Sequence, residues 1–220
     1  QINKLPLPSD EHALEAYKEK IDALVNNAGV AAFTELENTD FATWREVMAT
    51  NLDGAFLCSQ ATIPHLKKTK GSIVNIGSIS GLRASTLRVA YGTSKAAIIH
   101  LTKQLAAELG EFGVRANCVC PGPVKTKLAM AVHSPEIIEA YHDAMPLSRY
   151  GNESEIAEVI GFLCSEKASF VTGQIIAADG EAMVDWSAWV EYVRARPEQV
   201  IDYLGMMGDA SDNIPGLPGV

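Results

Sequence analysis

The chain has 220 residues, 47% hydrophobic and 20% charged, with a formal charge of −9. These values suit one folded domain with a short appendage, and the negative charge argues against a partner recognised through its phosphate backbone. Cys58, Cys118, Cys120 and Cys164 form no Cys-x-x-Cys pair and no metal-ligand spacing, and no apolar run reaches a membrane span, so a reduced, cytoplasmic setting is expected.

In chain order, Ser9, Asp10 and Glu11 can cap a helix over residues 9–20, with acids at its positive end. Residues 21–25 are continuously apolar but for Asp22, the mark of a strand covered on both faces. Asp40 is an N-cap for a helix carrying Phe41, Trp44, Val47 and Met48, and the helical pattern resumes beyond Asn51. Residues 72–76 read as a strand, 90–109 as a long helix closed near Gly110 or Gly113, and 114–119 as a further strand. A short helix over 134–144, an amphipathic helix over 153–164 and a last strand over 174–177 follow. His133 and His142 flank the helix at 134–144 without metal spacing and read as surface residues. Strands alternating with helices imply an α/β fold: a Rossmann-like, doubly wound parallel sheet.

The chemistry concentrates in Tyr91-Gly92-Thr93-Ser94-Lys95, with Ser78 thirteen residues upstream in Asn75-Ile76-Gly77-Ser78. A tyrosine and a lysine four apart on a helix share a face. An ammonium beside a phenol favours the phenolate, and so is expected to pull the tyrosine pKa down from about 10. A serine hydroxyl alongside can hold a carbonyl oxygen while the tyrosine moves the proton, which is carbonyl/alcohol chemistry completed by a hydride carrier. The plain alternative is an ordinary pair on a helix surface.

These residues, with Asn26-Asn27-Ala28-Gly29 after the first apolar run, Asn51, Pro121-Gly122-Pro123-Val124-Lys125-Thr126, and Val171-Thr172-Gly173-Gln174 leading to Asp179-Gly180, resemble the short-chain dehydrogenase/reductase family over residues 21–183. The resemblance implies a catalytic tetrad of Asn51, Ser78, Tyr91 and Lys95. Tyr91 would be the acid/base, Ser78 would orient the substrate oxygen, Lys95 would lower the tyrosine pKa and bind the nicotinamide ribose, and Asn51 would hold a water in a proton relay. Its backbone would be locally distorted. It also implies a NAD or NADP site at Asn26, Ala28, Gly29, Tyr91, Lys95, Pro121, Gly122, Val124 and Thr126, no metal, and a small carbonyl or alcohol substrate. Pairing through the helix at 90–109 into a homo-oligomer is a further implication. 3-Oxoacyl-carrier-protein reductases and sugar-alcohol dehydrogenases share the pattern.

The family opens with a strand and a glycine-rich turn that seats the pyrophosphate at a helix N-terminus. Residues 1–20 contain no glycine, so the chain is expected to lack the N-terminal strands and to bind its dinucleotide weakly. From residue 186 a tail follows that ends in Gly208-Asp209-Ala210-Ser211-Asp212-Asn213-Ile214-Pro215-Gly216. It resembles part of the 5′-nuclease domain of bacterial DNA polymerases, in which Asp209 and Asp212 would bind metal. Two aspartates are too few ligands for two hard cations, and acids outnumber bases in the tail, so nucleic-acid binding is not expected. The division is then 1–185, a truncated dehydrogenase-like domain, and 186–220, an appended helical tail. A catalytically inactive or chimeric fragment and a metal-dependent nuclease fragment are the competing readings.

Overall fold

The computed structural model describes residues 20–84 and 86–180. The helix expected over residues 9–20 and the tail from residue 186, with Asp209 and Asp212, lie outside the described residues.

Among the described residues, four strands pair in parallel, in chain order across the sheet: β1 (Ala23–Asn26), β2 (Ser72–Ile76), β3 (Arg115–Pro121) and β4 (Ile175–Ala178). Parallel neighbours need long crossovers, and helices supply them. Between β1 and β2 run α1 (Phe41–Met48), a π-helical turn (Ala49–Asp53) and α2 (Gly54–Thr69). Between β2 and β3 run α3 (Ile79–Leu82) and α4 (Val89–Leu109), and between β3 and β4 run α5 (Lys127–Val132), α6 (Pro135–Ala144) and α7 (Glu153–Cys164).

The boundaries follow local chemistry. Asp40 is extended and its carboxylate accepts the Thr43 N–H at 2.7 Å, which starts α1. Thr126 and Ser134 cap α5 and α6 in the same way, and Asn152 with Glu155 forms a capping box on α7. Gly113, at φ 75°, ends the turn after α4 in a conformation that a Cβ would disfavour.

Alternation along the strands distributes the core over both sheet faces. Ile73 and Ala116 meet Leu66 of α2 and Ala106 and Leu109 of α4. Val74 and Val119, an odd number of residues further along their strands and so on the other face, meet Leu163 of α7 and Ala168. The sheet is therefore wound on both faces, as expected, and β2 and β3 are buried almost throughout.

Asparagines are buried in the middle strands and each is satisfied. Asn26 Nδ2 donates to Asn75 Oδ1 at 2.7 Å and to Ser59 Oγ at 3.1 Å, and Asn75 Nδ2 donates to Thr102 Oγ1 at 2.9 Å. This chain of amides bolts β1 and β2 to α2 and α4. Asn117 donates to Val171 O at 2.8 Å and accepts the Gln174 N–H at 3.0 Å, fixing the approach to β4.

The expected helices over 134–144 and 153–164 and the strand over 72–76 are present; β1 starts two residues later than expected and β3 continues to Pro121. The helices α3 and α5 were not foreseen. Each is short and depends on a single capping hydroxyl, Ser78 or Thr126, at a place where composition reads as a turn.

Candidate active site

The C-terminal ends of the parallel strands carry the residues that the motifs singled out, the usual place for a ligand in an open α/β sheet. Ser78 follows β2 and caps α3, its oxygen accepting the Ser80 N–H at 3.1 Å. Tyr91 and Lys95 lie one turn apart on α4, with Lys95 Nζ 5.7 Å from the tyrosine ring centroid. Asn51 sits in the π-helical turn, so the local distortion expected there is present. Such a turn shifts the register of the helix by one residue. Asn51 Oδ1 accepts the Val30 N–H at 2.8 Å, and its amide donates to Val30 O at 2.9 Å and to Ser94 Oγ at 3.0 Å. Ser94 Oγ donates in turn to Tyr91 O at 2.7 Å, so the loop after β1 is tied to the helix that carries the tyrosine.

Lys95 is 4% exposed, and its ammonium donates to Ile76 O at 2.7 Å at the end of β2. Burial pulls its pKa down, opposed by the thiols of Cys118 and Cys120. Their sulfurs lie 3.8 Å apart on β3, directly beneath Gly77, where a Cβ would stand 2.6 Å from one and 2.8 Å from the other. Gly77 is thus required for β2 to turn out over β3 towards Ser78.

The phenol departs from expectation. Its pKa is raised, because burial outweighs the hydrogen bond with Ser78 and the charge of Arg88, both of which lower it. The Lys95 ammonium is directed at the Ile76 carbonyl, and Arg88, a residue that carried no motif, is a cation whose charge lowers the Tyr91 pKa.

A cavity of about 500 Å³ opens in front of these groups. Ser78, Tyr91 and Lys95 line it, as do Gly29, Pro121, Gly122, Val124 and Thr126 from the expected cofactor set. Asn26 and Ala28 are not on this wall; the Asn26 amide is occupied behind it, with Asn75 and Ser59. Gly29 faces Asn51 Oδ1 and Lys95 Nζ, at 3.4 and 3.5 Å from where a Cβ would stand.

The wall also holds Phe33, Arg88, His133 and Tyr141. The surface placement expected for the histidines is corrected here. His133 stacks on Tyr141 with centroids 5.5 Å apart, and its Nδ1 is 2.9 Å from the buried Tyr150 hydroxyl, while His142 packs edge-on against the same ring. A helix of unremarkable sequence hides these contacts, because they gather on Tyr150, beyond its end, as well as on Tyr141. Among the described residues no cluster of His, Cys, Asp or Glu could hold a metal ion, and no helix is long and apolar enough to cross a membrane.

A family profile described as enoyl-(acyl carrier protein) reductase matches residues 11–180. The 2-(S)-hydroxypropyl-CoM dehydrogenase 3 of Xanthobacter autotrophicus is 42% identical over 166 residues, 73% of this chain and 65% of that protein. The 3-oxoacyl-[acyl-carrier-protein] reductase of Aquifex aeolicus is 39% identical over 184 residues, 80% of this chain and 74% of that protein. A solved gluconate 5-dehydrogenase from Burkholderia cenocepacia, in complex with NADP and tartrate, superposes with a TM-score of 0.72 at 31% identity, over 78% of this chain and 69% of that one. The chain thus spans about two thirds to three quarters of the length of these proteins.

Proposed function

Because this chain belongs to the short-chain dehydrogenase/reductase family, we propose that it is an NAD- or NADP-dependent oxidoreductase interconverting a carbonyl and an alcohol. The observation that carries the reading is the convergence of Ser78, Tyr91 and Lys95 on one cavity, with Asn51 braced behind them.

The residues fit the nicotinamide half of such a cofactor. Lys95 Nζ has three N–H donors and one acceptor among the described residues, Ile76 O, so it can offer further donors to a ribose. Gly29 keeps the wall beside it free of a side chain, and Pro121, Gly122, Val124 and Thr126 follow from β3 on the same wall. The bound dinucleotide would supply the hydride in reduction and accept it in oxidation.

The remaining steps belong to the chain itself. In reduction, the Ser78 hydroxyl donates a hydrogen bond to the substrate oxygen. Tyr91 gives its phenolic proton to that oxygen as the carbonyl carbon takes the hydride, and oxidation reverses both transfers. Burial holds Tyr91 in its neutral, proton-donating form at neutral pH, which favours the reductive direction. Asn51 orders the loop at Val30 and supports the route by which the proton is restored.

3-Oxoacyl thioesters and sugars or polyols are the substrate classes that this reading puts first. Tyr91→Phe is the test: turnover with NADH or NADPH should fall at least 10²- to 10⁴-fold, the contribution of general acid catalysis, with an unchanged melting profile. Turnover retained in that variant would move the chemistry elsewhere and revive the reading of the chain as inactive in this site.

A further inference from the structure

Arg88 brings to the cavity a charge that no motif announced. It lies at the N-terminal edge of α4, three residues before Tyr91, and lines the cavity that Ser78 and Tyr91 also line. Its guanidinium stands over the Phe33 ring, 5.1 Å from the centroid. Among the described residues it forms no salt bridge, unlike Arg45 and Arg149.

The surroundings offer it little else. The lining is mainly apolar and aromatic (Phe33, Tyr141, Val30), and Glu153 is the single acid on it. Glu153 is exposed at the start of α7. The charge of Arg88 acts on both Tyr91 and Tyr150, opposing the burial that raises the pKa of each.

A half-buried guanidinium with five donors and an aromatic support is a poor fit to a purely neutral ligand. Desolvating it without a counter-charge costs free energy. An oxyanion offers the matching geometry, two parallel N–H···O bonds to a planar fork held flat by a ring. We propose that Arg88 binds an anionic group of the substrate, so that the preferred substrates are oxo acids or hydroxy acids, with Phe33 holding the guanidinium in position. This rests on the dehydrogenase reading above and adds to it the charge of the substrate and the residue that selects it. The carbonyl is then held at Ser78 and Tyr91 and the anion at Arg88, so orientation is fixed at two points rather than one.

The test uses pyruvate, acetoacetate and levulinate, which place the carboxylate at successive distances from the carbonyl, each against its methyl ester. Both kcat/KM and, by calorimetry on the chain with Tyr91→Phe, equilibrium binding are measured. At least one acid should be preferred over its ester by about 10- to 100-fold, the value of a hydrogen-bonded charge pair. Arg88→Met should collapse that ratio towards one, mainly through KM, and Arg88→Lys should restore part of it because the charge returns without the fork. Unchanged melting curves exclude misfolding.

If every ester equals its acid, or if the ratio survives in Arg88→Met, the inference is overturned. The binding arm separates the two proposals. Charge-dependent binding without turnover by the wild-type chain would sink the enzymatic reading alone, and turnover without charge preference would sink this one alone.

Discussion

Gly81→Ala tests whether the packing of one short helix sets the catalytic geometry. A Cβ on Gly81 would stand 2.6 Å from the carbonyl carbon of Lys95, 2.8 Å from Ala96 N and 2.9 Å from Lys95 O, all backbone atoms of α4. Ordinary contact begins at 3.4 Å, so about 0.8 Å must come from movement of one helix against the other. The backbone of a 21-residue helix does not yield as a side chain would, so the four-residue α3 withdraws and takes Ser78, its capping residue, with it. Overpacking of this kind costs about 1–3 kcal/mol, and a displacement near 1 Å at a reacting group costs about 10²-fold in rate.

Helix propensity alone predicts the opposite sign, a gain of about 0.5–1 kcal/mol for Gly→Ala. Gly161, inside α7 with nothing within 4 Å of its would-be Cβ, is the control for that intrinsic effect. Urea unfolding should therefore show Gly81→Ala destabilised and Gly161→Ala neutral or stabilised. Steady-state reduction of a carbonyl substrate should lose about 10²-fold in kcat only in the former. A Gly81→Ala protein as stable and active as Gly161→Ala would refute the argument that α3 is held to α4 at backbone contact.

The raised pKa of Tyr91 places its titration above the ordinary phenol value of 10.0. A proton donor is present below its pKa, so reduction should stay level through neutral pH and fall only on an alkaline limb, while oxidation should climb along the same limb. Arg88→Met removes a charge that lowers this pKa and should push the limb further alkaline in a pH–rate profile. Asn75→Ala strips partners from Asn26 and Thr102 at a fully buried position and should destabilise the chain by roughly 2–4 kcal/mol in urea unfolding. An unchanged midpoint would mean that these amides find other partners. Phe56 and Leu57 on α2 are 47% and 58% exposed, and if they belong to a surface through which copies of the chain pair, Leu57→Glu should lower the mass seen by light scattering.

What was legible in the residues was whatever depends on short stretches of chain. Helix periodicity put Tyr91 and Lys95 on one face, and the carboxylate cap at Asp40 marked a helix start. Residues 72–76 and 114–119 read as strands and the alternation of strand and helix announced a parallel sheet, whereas the run at 21–25, expected to be covered on both faces, forms a β1 of alternating exposed and half-buried residues. The order and spacing of Asn51, Ser78, Tyr91 and Lys95 carried the expectation of carbonyl/alcohol chemistry through the family resemblance that they support.

Tertiary structure alone decided what surrounds those groups. The expectation that Lys95 lowers the Tyr91 pKa rested on spacing along one helix. Which acceptor the ammonium meets depends on how far β2 reaches towards α4, and it meets Ile76 O. Asn26 has the right neighbours in sequence for a cofactor contact, yet its amide is drawn back to Asn75 by the register between β1 and β2. Arg88, Phe33 and His133 have no shared spacing, since they come from the edge of α4, the loop after β1 and the end of α5. Only the closure of those segments over one cavity makes them neighbours. The motif is a local property of the chain, whereas the charge and shape of the cavity arise from contacts between separate segments, such as Phe33 with Arg88.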